Sequence, residues 1–136
     1  MAVIIFLARV LLSVIFIVSG LQKVADFNGT VSVMAQHGLP ATPLLAVLTI
    51  AIEVGGGLGV LLGYQGRLAA VLLVLLLIPV TVVFHTHLVV PQVTEQTTQL
   101  LKNMAIGGGL LMLAAHGPGP ASLDARRRRP PTRRLL

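Results

Sequence analysis

The sequence contains no cysteine, no tryptophan and a single tyrosine, and only 10% of its 136 residues are charged. The absence of cysteine excludes disulfide frameworks, thiolate metal sites and thiol–disulfide chemistry within the chain. A soluble domain usually carries about 25% charged residues. Hydrophobic residues make up 55% of this chain, which leaves too little polar surface to cover a small globule. The lipid bilayer is therefore the natural solvent for it.

Four apolar stretches are long enough to cross a membrane, which takes about 20 mostly apolar residues. They cover residues 2–23, 42–63, 67–90 and 98–115. The first stretch has no basic leader and no small-residue cleavage site, so a span is favoured over a signal peptide. We predict an all-α fold, an antiparallel four-helix transmembrane bundle.

The segments between the spans complete this prediction. Residues 24–41 have the pattern of a short interfacial helix between the first and second spans, ending at Gly38. A tight turn at residues 63–66 makes the second and third spans antiparallel neighbours. Residues 1–116 form the predicted membrane domain, and residues 117–136 form a predicted disordered tail rich in arginine and proline.

The net charge of +6 is concentrated at one end of the chain, because six of the ten basic residues lie within residues 126–136. It is a tail charge and does not form a nucleic-acid-binding face. Cytoplasmic segments next to spans are enriched in Lys and Arg. Both termini are therefore expected to be cytoplasmic, in the cytoplasmic membrane of a bacterium or archaeon. The tail is also expected to touch anionic lipid.

Ionisable side chains at membrane depth are costly and usually face the bundle interior. Arg9 and Glu53 are expected to meet in a layer near the midplane. A second layer nearer the outer surface holds five polar residues: Gln22, Lys23, His85, Lys102 and Asn103. These seven residues form the candidate intramembrane polar site, with no metal.

Each layer also has a structural interpretation. Arg9 and Glu53 would form a buried ion pair that fixes the register of the helices. Lys23 and Lys102 would extend to the lipid headgroups, an interpretation favoured for Lys23. Asn103 directly follows Lys102 inside the span, which strengthens the functional interpretation of Lys102.

The sequence resembles the DoxX family of small four-helix membrane proteins over nearly its whole length. The resemblance rests on residues 8–12, 16–23, 37–40, 52–56, 62–63 with Arg67, 84–85, 101–108 and 117–124. The family is named after a component associated with a terminal quinol oxidase, and related chains belong to thiosulfate:quinone oxidoreductases. Other members look like membrane partners of redox-stress proteins. The resemblance implies a link to quinone or redox chemistry, although the chain has no haem-ligand pair or flavin motif of its own.

Three functions remain open from the sequence, and none assigns a catalytic activity to this chain. The first is a quinone-linked or redox-associated membrane subunit, with quinone as the ligand, no intrinsic cofactor and a redox partner protein. The second is a non-catalytic membrane anchor or scaffold for a partner protein. The third is a small transporter or lipid-binding protein, for which a chain of 136 residues would need to form a homo-oligomer.

Overall fold

A computed structural model describes residues 1–85 and 93–127, and the side chains of His85, Val93 and Thr94 are not among the described parts. The regular elements are helices, which confirms the all-α class. They are α1 (Ala2–Ala25), α2 (Phe27–Gln36), α3 (Thr42–Leu62), α4 (Gly66–His85), α5 (Val93–His116) and the short α6 (Leu123–Arg127).

The four predicted spans correspond to α1, α3, α4 and α5. Residues 86–90 of the third predicted span lie outside the described residues. Helices α1, α3 and α4 are long and apolar enough to cross a membrane. Helix α5 begins at Val93, five residues before its predicted start, and its first half is polar, with Glu95, Lys102 and Asn103.

The predicted helix between the first two spans is confirmed as α2. Asp26 caps its start, because the Asp26 carboxylate accepts a hydrogen bond of 3.0 Å from the Gly29 backbone N–H. The ring of His37, just after α2, lies 4.5 Å from the ring of Phe84 on α4. Helix α2 is thereby held over one end of the bundle, which we name the loop end.

Neighbouring long helices run antiparallel, as their closest approaches show. On α1 and α3, Gly20 faces Val54 and Gly57 faces Ile17, so the residue number rises along one helix as it falls along the other. A Cβ atom at Gly57 would lie 2.8 Å from Cγ1 of Ile17, so this close contact requires glycine. Helices α4 and α5 are also antiparallel. Asn103 is hydrogen-bonded to Thr81, and Gly107, further along α5, contacts Leu77, which is earlier on α4.

The apolar core lies in the half of the bundle away from α2. Its fully buried residues include Val60, Ala70, Leu73 and Leu110, with Phe16 packed against them. Large apolar side chains on the outer faces stay exposed, such as Leu11 at 77% and Leu75 at 58%, as expected of surfaces in contact with lipid.

We name the other end of the bundle the tail end, where the α3–α4 turn meets residues 117–127. Gly63 ends α3 in the left-handed conformation (φ 63°), which glycine adopts without strain. The Asp124 carboxylate accepts hydrogen bonds from the backbone N–H groups of Gln65 (2.8 Å) and Gly66 (2.9 Å). Residues 117–127 thus have a defined structure, although they were predicted to belong to a disordered tail. The division into a membrane domain and a tail stays a prediction.

Candidate functional site

An ion pair between α1 and α3 is the centre of the candidate site. Lys23 Nζ lies 2.9 Å from Glu53 Oε2 and 3.0 Å from Oε1. Ser19, one turn before Lys23, accepts a hydrogen bond of 2.7 Å from the same ammonium and donates one of 3.3 Å to Glu53. The Glu53 side chain is only 8% exposed, whereas that of Lys23 is 25% exposed. The carboxylate therefore depends on Lys23 for its neutralisation.

Arg9 does not join this cluster, so the expected pairing of Arg9 with Glu53 is wrong. The α1–α3 register places Gly20 beside Glu53, and Arg9 lies 11 residues earlier, about 16 Å along the helix axis. The Arg9 guanidinium is instead buried at the tail end, where it donates a hydrogen bond to the Ala121 carbonyl and lies against Gly63. Within the described residues, its Nε and Nη1 atoms have no hydrogen-bond partner.

Helix α5 contributes an ammonium and an amide on the opposite side of the bundle. Asn103 is 8% exposed, and its Nδ2 donates a hydrogen bond of 3.0 Å to the Thr81 hydroxyl on α4. That bond uses one of the two N–H groups of the amide. Lys102 is exposed beside it. The His85 side chain, which the sequence analysis placed in the same layer, lies outside the described parts of the chain.

A cavity of about 860 Å³ brings most of the candidate site together. Its polar lining includes five of the predicted site residues: Gln22, Lys23, Glu53, Lys102 and Asn103. Its apolar walls include Phe16, Leu77 and Ile106. Glu53 thus lies in the same layer as the two lysines and the two amides. Arg9 does not line this cavity, although it was predicted as part of the same site.

The cavity lies at the loop half of the bundle, between α1 and α5. Toward the tail end these two helices close together, since a Cβ atom at Gly109 would lie 3.0 Å from Leu12. Leu11 (77% exposed) and Val14 (48% exposed) also line the cavity, which connects it with the lipid-facing surface of α1. This geometry suits a ligand that is soluble in the bilayer and carries a polar head.

Sequence reasoning missed Ser19 and Thr81 as parts of the site. Ser19 lies four residues before Lys23, and this spacing on one helical face could have identified it. Thr81 carries no comparable signal, because nothing in the sequence pairs it with Asn103. Within residues 1–85 and 93–127, no group of three His, Asp or Glu side chains could hold a metal ion.

The fold and the cavity define a helical integral membrane protein with a polar pocket inside an apolar bundle. The chain belongs to the DoxX family, whose sequence pattern matches residues 4–86. This confirms the resemblance seen in the sequence. The matched region covers α1 to α4, so Glu53 and Lys23 lie within it, whereas Lys102 and Asn103 lie beyond it.

Three curated proteins are similar to the chain. Inner membrane protein YphA of Escherichia coli (strain K12) is 34% identical over 126 residues, which cover 91% of this chain and 90% of YphA. Inner membrane protein YqjF of the same strain is 33% identical over 122 residues, 88% of each chain. "Putative oxidoreductase CatD" of Bacillus subtilis (strain 168) is 39% identical over 72 residues, which cover 53% of this chain and 52% of CatD. No solved structure matches the sequence.

Proposed function

We propose that the chain is a quinone-linked or redox-associated membrane subunit that binds its ligand in the loop-half cavity. The observation that supports this most is the combination of an apolar wall open to lipid with an ammonium, an amide and an ion pair in one cavity. A quinone requires an apolar slot, donors to its carbonyl oxygens and a group that exchanges protons. The name of CatD is consistent with redox chemistry, but CatD matches only about half of the chain.

In this proposal, the residues around the cavity have distinct roles. Lys102 and the second N–H of the Asn103 amide donate hydrogen bonds to one carbonyl oxygen of the quinone. The Lys23–Glu53 pair lies on the other side, where Glu53 accepts or releases a proton and Lys23 neutralises its charge. Because the sequence has no cysteine and no flavin or haem motif, a partner protein supplies the electrons.

The proposed location is the bacterial cytoplasmic membrane, with α5 as the fourth span. The two relatives that match most of the chain are named as inner membrane proteins. Arg67 in the α3–α4 region, together with Arg126 and Arg127 on α6, places basic charge at the tail end. Basic residues next to spans favour the cytoplasmic side, so the tail end and both termini are cytoplasmic in this proposal.

Binding of short-chain ubiquinone and menaquinone analogues to the purified protein tests the proposal. We expect the double variant Glu53→Ala with Lys102→Ala to weaken binding by about tenfold or more, because it removes a charged donor and the proton-exchanging group. Arg126→Ala, which removes a charge outside the cavity, should leave binding unchanged. Quinone binding that survives the double variant would refute the site assignment.

A non-catalytic anchor is the second candidate, and one observation favours it. Both oxygens of Glu53 are already bound by Lys23, so the pair also serves to fix the register of α1 against α3. In that case the purified protein binds neither quinone, while a stable partner protein is recovered after mild solubilisation.

A further inference from the structure

A second cavity, of about 540 Å³, lies at the tail end of the bundle. The start of α4 forms one wall and residues 116–127 form the other. Its basic lining residues are Arg67, His116 and Arg127. The proposed ligand of the loop-half cavity does not reach it, because the apolar core around Val60, Leu73 and Leu110 lies between the two.

The charge balance of this cavity is positive. The chain has only four acidic residues, and Asp124 is the one that lines the cavity. Both Asp124 oxygens already accept backbone hydrogen bonds, from Gln65 and Gly66. Among the described residues, the one ion pair is that of Lys23 with Glu53. Arg67 and Arg127 thus face the cavity with no carboxylate paired to them within residues 1–85 and 93–127.

Each of the two arginines and the histidine lies close to a neighbouring group. The Arg127 guanidinium lies 4.8 Å from the centre of the Tyr64 ring. The Arg67 Nε lies 3.2 Å from the Cβ position of Gly117, so any larger residue there would crowd this guanidinium. His116 Nδ1–H donates a hydrogen bond of 3.0 Å to the Met112 carbonyl, so the two guanidinium groups are the donors that this cavity offers to an anion. Positioned guanidinium groups are suited to bind phosphate oxygens in a bidentate manner.

We propose that this cavity binds the phosphate of an anionic phospholipid in the adjacent leaflet. The apolar surroundings favour a lipid over free phosphate as the source of that group. Leu68 lines the cavity and is 53% exposed, and Leu62 nearby on α3 is 51% exposed. These side chains belong to the lipid-facing surface, so acyl chains can pack there while the headgroup enters the cavity.

The test compares two double variants of the full chain in nanodiscs of phosphatidylcholine, with and without phosphatidylglycerol. Arg67→Gln with Arg127→Gln removes two charges from the cavity. Arg133→Gln with Arg134→Gln removes two charges from the end of the chain. Native mass spectrometry after partial delipidation counts the phosphatidylglycerol molecules retained by each protein.

The cavity variant should retain phosphatidylglycerol about tenfold less than the unmodified chain, because each lost guanidinium removes a charge-assisted hydrogen bond. The tail variant should differ by no more than about twofold, because it keeps both guanidinium groups that line the cavity. Equal losses in the two variants would show diffuse attraction only and would overturn the proposal. So would an unmodified chain that retains phosphatidylglycerol no better than phosphatidylcholine.

Two further measurements keep the test decisive. If the cavity variant fails to fold by circular dichroism, Arg127→Gln alone replaces it, because Arg127 lies on the exposed end of α6. Inorganic phosphate is titrated against the retained lipid. Displacement of the lipid by millimolar phosphate would assign the site to free phosphate and overturn the lipid assignment.

Discussion

The Lys23–Glu53 pair should respond very differently to the loss of each partner. The Glu53 side chain is 8% exposed in the unmodified chain, and Lys23→Met leaves it with Ser19 as its remaining donor among the described residues. In Glu53→Gln, the 25% exposed Lys23 keeps the Ser19 hydroxyl and can extend toward the loop end. We therefore expect Lys23→Met to cost about 3 kcal/mol of unfolding free energy and Glu53→Gln about 1 kcal/mol.

The double variant sharpens this prediction. Once Glu53 is neutral, removal of Lys23 leaves no buried charge. The two changes together should cost about 1 kcal/mol, far less than the sum of about 4 kcal/mol expected for independent sites. Lys102→Met is the matched control, because it removes an exposed cavity lysine that has no ion pair within the described residues. It should cost less than about 0.5 kcal/mol.

Unfolding can be followed by far-ultraviolet circular dichroism in detergent micelles titrated with sodium dodecyl sulfate, since the chain has no tryptophan to report by fluorescence. Additive costs in the double variant, or a larger cost for Glu53→Gln than for Lys23→Met, would refute the assignment of Glu53 as the dependent partner.

Three further pairs of substitutions test the packing of the bundle, with the same unfolding assay and, for the third pair, amide exchange. Gly57→Ala should destabilise the fold by about 1–3 kcal/mol because its Cβ would meet Ile17 at 2.8 Å, whereas Gly55→Ala, with open space around it, should be neutral or stabilising. Asn103→Leu and Thr81→Val should each cost about 0.5–1 kcal/mol, and their combination no more than either alone if the 3.0 Å hydrogen bond is the cause. Asp124→Asn should cost about 1–2 kcal/mol and increase amide exchange at Gln65 and Gly66, while Arg126→Gln should leave that exchange unchanged.

The sequence was sufficient to locate the long helices because their apolar runs match the thickness of a bilayer. It also located the α3–α4 turn, where Gly63 takes a positive φ. The short α2 could be recognised from the polar and apolar residues that follow Lys23. These features depend on local composition, so they do not require knowledge of how the helices pack.

The depth of each polar side chain could not be read from the sequence in the same way. Counting residues placed Arg9 and Glu53 close together, but the actual register is set by contacts between α1 and α3. Gly20 fits against Val54, and Gly57 fits against Ile17. This register places Lys23 beside Glu53 and Arg9 beside Gly63. The packing of α1 against α3 therefore determines which cation neutralises the Glu53 carboxylate.

The structure of residues 117–127 could not be predicted from the sequence for a related reason. Their glycine and proline content indicates disorder, because such a segment buries little apolar surface of its own. The structure supplies the missing interactions from distant residues: the Arg9 guanidinium binds the Ala121 carbonyl, and the α3–α4 turn binds Asp124. A segment that depends on partners more than 50 residues away cannot be recognised from its own composition.

The asymmetry of the bundle restricts how the proposed quinone site would work. The tail half is filled by an apolar core and covered by residues 117–127, whereas the loop half contains the cavity with Lys23 and Glu53. A ligand would therefore enter sideways from the lipid, past the exposed face of α1. Protons would reach Glu53 from the loop end. Lys23 is the partly exposed member of the pair, and Asp26, about one turn after Lys23 at the end of α1, lines the same cavity. Under the proposed orientation, oxidation of a quinol in this cavity would release protons on the outer side of the membrane.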